Sequence, residues 1–256
     1  MKLELKDWWK PEIDKKDLAE LSIRRDIYAW IHLISYFIVL FVSGFLAVAS
    51  WGTWWALPAF FVYGTVYSFS NARWHEFSHR TVFNSRRANT VFYQIFSFLC
   101  FYEAQLWRWT HGNHHRRTIH TSDPYDYEIQ VPYGTGSLKL IYEFSGLRPI
   151  FSEYKKLTLH AFNIMTPSAK DCVPTNHWPK VVLSSRIYLA LSLLILVFSL
   201  YIGSILPILL VIIPNLYGRL LLNLTIGFPQ HAGLHENAFD HRLNTRNVMV
   251  NPILGF

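Results

Sequence analysis

The sequence predicts an all-α integral membrane protein with four transmembrane helices, arranged two plus two, and a cytoplasmic helical cap that carries clustered histidines. Three observations carry that reading. Of the 256 residues, 51% are hydrophobic and only 16% charged, against about 25% charged in an ordinary soluble domain. Lys and Arg are absent from Ile27 to Ala72, and a second charge-free stretch runs from Ile187 to Gly218. Most of the twelve histidines gather in short segments outside these stretches.

Residues 1–26 mix seven Lys/Arg with seven Asp/Glu and lack the apolar core and cleavage site of a removable signal peptide. They read as a cytosolic arm, with Trp8 and Trp9 resting in the interface. Residues 27–256 read as one membrane domain. A spanning helix needs about 20 apolar residues to cross about 30 Å of hydrocarbon, so the 46 residues from Ile27 to Ala72 hold two. These fall at roughly 28–49 and 54–69, joined by the aromatic turn around Trp51, Trp54 and Trp55.

The stretch from Val91 to Trp107 is interrupted by Tyr93, Gln94, Tyr102 and Glu103, and reads as a helix lying in the interface. A second pair of spans is expected at roughly 188–200 with its flanks and 206–226, turning at Gly203, Ser204 and Pro207. Seven basic residues lie in the N-terminal arm, thirteen in the loop from Asn71 to Lys180, and none in the two short turns. Both termini and the long loop are therefore expected on the cytoplasmic side. Cys100 and Cys172 suggest neither a disulfide framework nor a metal pair. No nucleic-acid partner is expected.

Three segments carry chemistry. His75 and His79 are four residues apart, so they share one helix face a turn apart. His111, His114 and His115 bring three imidazoles to one side by spacings of three and four, and His231 and His235 follow the last span. Imidazole suits iron, zinc, copper and nickel alike. Ligand number discriminates better, because one zinc is satisfied by about four ligands. Five paired histidines plus a sixth make two metal ions the economical reading, and two irons can share the electrons needed to split dioxygen. His32, His160 and His177 are isolated and read as structural or merely exposed. Arg219 sits about two turns inside the last span, which makes it a functional candidate by default, yet snorkelling toward the cytoplasm accounts for it nearly as well, and it is left out of the site.

These boxes resemble those of the membrane fatty acid desaturase and hydroxylase superfamily, and of bacterial acyl desaturases in particular. His75-x3-His79 resembles the first box, His111-x2-His114-His115 the second, and Gln230-His231 the extra histidine before the third. The run from Asp240 to Arg246 resembles the approach to that third box. The box itself is expected soon after Phe256, so the chain is expected to be truncated. The resemblance implies a di-iron site ligated by His75, His79, His111, His114, His115 and His231, with dioxygen as co-substrate. It implies a fatty acyl desaturase, or a lipid or alkyl hydroxylase of the same superfamily, acting on a membrane lipid or acyl chain. Electrons are expected from a separate donor of ferredoxin or cytochrome b5 type.

A metal-bound His usually donates its other N–H to a carboxylate or carbonyl. Asp123, Asp126, Glu103 and Asp240 are the candidates for that role, and His235 and His241 stand between ligand, supporting partner and plain polar contact. One rival comes from His75-Glu76-Phe77-Ser78-His79, which satisfies H-E-x-x-H, the helical zinc motif of metalloproteases. On that reading Glu76 activates water in an intramembrane zinc protease, and the second box has no task. A metal transporter would place its ionisable groups at mid-membrane, whereas the boxes here lie outside the spans.

Overall fold

The computed structural model describes residues 9–122, 125–129, 142 and 145–249. All regular structure among them is helical. A short surface helix, α1 (Lys15–Leu21), opens on the Asp14 carboxylate, which accepts from the backbone of Lys16 and Asp17. Next, α2 (Asp26–Ala49) is apolar around most of its circumference and about 36 Å long at 1.5 Å per residue. It buries Leu33, Tyr36, Leu40, Ser43 and Ala47, spaced three and four apart, while Phe41 and Phe45 on other faces stay exposed. That division suits a helix with one face on the protein and the rest toward lipid.

The second expected span, at roughly 54–69, is shorter than the sequence suggests. In its place stands α3 (Ala56–Ser68), 13 residues long, or about 20 Å. After the single residue Phe69 the chain resumes as α4 (Ser70–Ser78), which is polar and carries the first histidine box. Three helices, Asp26–Ala49, Thr175–Tyr201 and Ile208–Gly227, are long and apolar enough to cross a membrane. Two further helices follow α4, namely α5 (Arg86–Cys100) and α6 (Ala104–His114). The expected interfacial helix at 91–107 is thus two elements, broken where Phe101 takes a left-handed conformation and Glu103 caps the second. Beyond them lie α7 (Leu147–Ala161), α8 (Pro167–Cys172), α9 (Trp178–Tyr201), α10 (Pro214–Leu222) and the single turn α11 (His241–Asn244).

The core is aromatic. Phe77 stacks on Phe96 with centroids 5.6 Å apart, Phe96 on Phe37 at 5.8 Å, and Trp74 meets Trp107 edge to face at 5.5 Å. Together these rings tie α2, α4, α5 and α6 into one body.

The most intimate helix contact is between α3 and α10, where Gly64 faces Gly218. A Cβ at position 218 would fall 1.8 Å from the Gly64 carbonyl carbon, so neither chain tolerates a side chain there. Just before α10 the backbone widens into a π-helical turn, Ile208–Ile212, because Pro214 has no N–H to return to the preceding turn. Three tyrosine hydroxyls satisfy the carbonyls left over. Tyr217 donates to Leu209 (2.7 Å), Tyr63 to Leu210 (2.6 Å) and Tyr67 to Val211 (2.9 Å). In a lipid-surrounded segment such oxygens have no water to turn to.

Candidate metal centre

The C-terminal ends of α4 and α6 meet, and each ends on histidine. His75 lies in the last turn of α4 and His79 is its C-cap, while His111 and His114 close α6 and His115 is its C-cap. The helical period puts His75 with His79, and His111 with His115, on one face each. The crossing of α4 and α6 turns these faces toward one another.

One ring nitrogen from each of His75, His79, His111 and His115 lies within 4.8 Å of the others. His111 Nε2 is 3.2 Å from His79 Nε2 and 3.0 Å from His115 Nε2. Two nitrogens each about 2.1 Å from one ion would themselves be about 3.0–3.4 Å apart at angles of 90–110°, so this donor set fits a transition metal. Burial, followed by the mutual repulsion of the surrounding imidazoles, lowers His115 to about 3 and pushes His79 down in the same way. Both rings are therefore neutral at physiological pH, the state a metal requires.

A second pair adjoins the first group. The rings of His114 and His231 meet edge to face at 5.3 Å, and His114 stacks beside His111 at 5.9 Å. His231 arrives from the segment after the last apolar helix, which ends in a second π-helical turn, Asn223–Gly227. The C-terminal segment is then tied to the turn that follows α6 and to itself. Asn244 Nδ2 donates to the Thr118 carbonyl (3.1 Å) and Arg246 N to the Gln230 carbonyl (3.1 Å).

Each of four imidazoles has its Nδ1 engaged, which leaves Nε2 for a metal. His111 Nδ1 meets Glu128 Oε2 at 2.8 Å, His114 Nδ1 meets Asp126 Oδ2 at 2.9 Å, His231 Nδ1 meets the Asn244 carbonyl at 2.9 Å, and His75 Nδ1 meets Glu76 Oε1 at 3.1 Å. Asp126 is fully buried and also accepts from the backbone of Ile119 (2.9 Å) and Glu128 (3.0 Å). Burial alone would raise the Glu128 carboxyl, but the His111 hydrogen bond and the neighbouring histidines outweigh it and hold the group at about 2. Glu128 is thus an anion beside the cluster.

Of the other residues singled out from sequence, Asp123 lies outside the described residues. The Glu103 carboxylate accepts from the backbone of Gln105 and Leu106 at the start of α6. Its carboxyl is raised by burial to about 7. Asp240 caps α11 and forks onto Arg242. Neither takes a hydrogen bond from a box histidine among the described residues. His235 is exposed and uses its backbone to reach the Leu243 carbonyl, while His241 begins α11 beside Asn244.

A cavity of about 530 Å³ opens beside the cluster, with His75, His111, His114 and His231 in its wall. Trp74, Trp107 and Tyr102 form its aromatic side, and Glu76, Glu128, Glu153, Lys156 and Arg219 are its charged residues. Sequence reasoning passed over Glu128, Asn244, Glu153 and Lys156. Only Glu128 had a signal, its place two residues beyond Asp126.

The fatty acid desaturase family model matches residues 52–256, four-fifths of the chain, with both histidine boxes and His231 inside the match. The chain belongs to the fatty acid desaturase family. No curated protein and no solved structure matches it. Membership of a membrane enzyme family agrees with the three apolar helices, and its di-iron chemistry agrees with an all-imidazole cluster. The family suggests an oxidoreductase.

Proposed function

We propose that the protein is a membrane di-iron oxygenase that introduces a double bond into a fatty acyl chain. The observation that supports this reading is the convergence of four imidazole nitrogens within 4.8 Å, with the His114–His231 pair alongside, in a chain of this family. In the proposed site His75, His79, His111 and His115 hold one iron, and His114 and His231 contribute to the second. Iron bound there would supply the capacity to activate dioxygen and take hydrogen from an unactivated C–H bond, with two electrons from outside.

The chain's own residues do the rest. Glu128, Asp126 and the Asn244 carbonyl fix the imidazole tautomers and keep the rings from turning. Trp74, Trp107 and Tyr102 give the cavity a rigid apolar wall that limits water near the reacting carbon. The proposal places both termini and the boxes on the cytoplasmic side, supported by the basic residues of the N-terminal arm and of the loop 71–180. A separate donor of ferredoxin or cytochrome b5 type delivers the electrons.

Hydrolysis by a single zinc at His75-Glu76-x2-His79 fits less well, because a catalytic zinc takes one further protein ligand, whereas four more imidazoles, His111, His114, His115 and His231, gather beside this pair. The deciding experiment expresses the gene in a host lacking desaturases, profiles its lipids and measures bound metal. Two irons per chain and a new double bond are expected, both lost in His111→Ala. Tightly bound zinc at one per chain would overturn the oxygenase reading, and a new hydroxylated lipid would overturn the choice of desaturation.

A further inference from the structure

The cavity beside the histidines contains a cation that the chemistry above does not use. Arg219 belongs to the apolar helix Ile208–Gly227, where a charge costs about 3 kcal/mol or more unless something repays it. Its partners are neutral. Nε donates to Asn223 Oδ1 at 3.3 Å, and Nη2 donates to the Tyr102 hydroxyl, over whose ring the guanidinium lies 5.5 Å from the centroid.

No carboxylate among the described residues lies within ion-pair distance of Arg219. The nearby Glu153 is committed elsewhere, with Oε2 taking the Trp107 indole N–H at 3.1 Å and Oε1 taking Lys156 Nζ at 2.7 Å. Lys156 pairs with Glu153, and the other two carboxylates of the lining are engaged by histidines, Glu76 by His75 and Glu128 by His111, so among the described residues the guanidinium is the cation of this wall that has no carboxylate partner. Two bonds also leave three of its five N–H donors unspent.

The guanidinium is held firmly as well as left unpaired. Tyr102 is buried between two tryptophans, 4.2 Å from Trp107 and 5.0 Å from Trp74, so the hydroxyl that positions Arg219 cannot swing away. A fixed planar fork with free donors, facing a cavity, is complementary to a planar carboxylate. A phosphate fits worse, since a dianion would call for a second free cation, and Lys156 is already occupied.

We infer that Arg219 binds the free carboxylate of a fatty acid in this cavity, so that the oxidised carbon is chosen by its distance from the carboxyl end. That the ligand is a substrate rests on the oxygenase reading; that a carboxylate binds at Arg219 does not. The uncharged carbonyl of an esterified chain would leave the guanidinium unmatched.

Titration calorimetry on the full-length protein in detergent tests this, both as purified and after chelation, which prevents a carboxylate from binding to a metal ion instead. The probes are dodecanoate, methyl dodecanoate and dodecyl phosphate at pH 8. The acid is expected to bind at least tenfold tighter than the ester. Arg219→Gln is expected to remove that preference while changing ester affinity less than twofold, and Arg219→Lys to retain part of it. Equal affinities for acid and ester in the unaltered protein, tighter binding of the phosphate, or a preference that survives Arg219→Gln would overturn the assignment. Neither iron content nor lipid products enter this comparison, so its failure and that of the oxygenase reading are separate outcomes.

Discussion

His114 Nδ1 donates to Asp126 Oδ2 across 2.9 Å, and that carboxylate is wholly buried. The same oxygen takes the backbone N–H of Ile119, so one side chain fixes both a ring and the turn that follows α6. Asp126→Asn keeps the volume but removes the charge-assisted bond. Metal affinity is expected to fall about 10- to 100-fold, read by competition with a chelator of known strength, with the protein still folded. Affinity unchanged within twofold would mean that the carboxylate does not support the metal centre.

The contact between Gly64 and Gly218 gives a prediction about assembly. In Gly218→Ala the new methyl would have to occupy space 1.8 Å from the Gly64 backbone, and backbone cannot yield as a flexible side chain does. A loss exceeding about 3 kcal/mol, seen as aggregation on size-exclusion chromatography, is expected. Gly112→Ala is the matched control, since nothing lies within 4 Å of its added carbon. It should be neutral or stabilising by up to about 1 kcal/mol.

The tyrosines that cap the π-helical turn lead to a third. Tyr67→Phe deletes the donor to the Val211 carbonyl, and Tyr63→Phe the donor to the Leu210 carbonyl. Each is expected to lower stability by about 1–3 kcal/mol, measured as a drop in thermal midpoint. Phe at a lipid-exposed position would cost almost nothing, so midpoints unchanged in both variants would show that these carbonyls find other partners.

A fourth concerns pH. His160 is fully buried, and its Nε2 accepts from the Thr166 backbone N–H (3.3 Å) and meets the Thr166 hydroxyl (2.9 Å). Burial, followed by the Lys156 charge, lowers it to about 4, against about 6.5 in the unfolded chain. The unfolded state therefore takes up the proton first as pH falls. Stability from this residue is complete above about pH 6.5 and declines toward pH 4, by up to about 3 kcal/mol. His160→Asn, which cannot be protonated, should flatten the thermal midpoint between pH 7 and 4.5. An equally steep decline in that variant would assign the pH sensitivity elsewhere.

Local periodicity made part of this protein legible in its sequence. The charge-free stretches foretold long apolar helices at Asp26–Ala49, Thr175–Tyr201 and Ile208–Gly227, because lipid selects for uninterrupted apolar residues. Spacings of three and four put His75 near His79, and His111 near His115, because a single helix sets that geometry whatever surrounds it.

What depended on segments far apart in the chain was decided only by the tertiary structure. Hydropathy does not show that the second apolar stretch stops as helix at Ser68 and continues, across Phe69, into the helix that carries the first box. Glu103 and Asp240 had the right chemistry to support a metal, but they begin helices whose backbone N–H groups claim them first. Glu128 and Asn244 reach His111 and His231 because the segment 125–129 returns to α6 and the chain around α11 is tied to the turn that follows it. The crossing of α4 and α6, the meeting of His114 with His231 and the unmatched charge of Arg219 have the same origin. Periodicity fixes what one helix displays, whereas the partners it meets follow from packing and from which polar groups are left to satisfy one another.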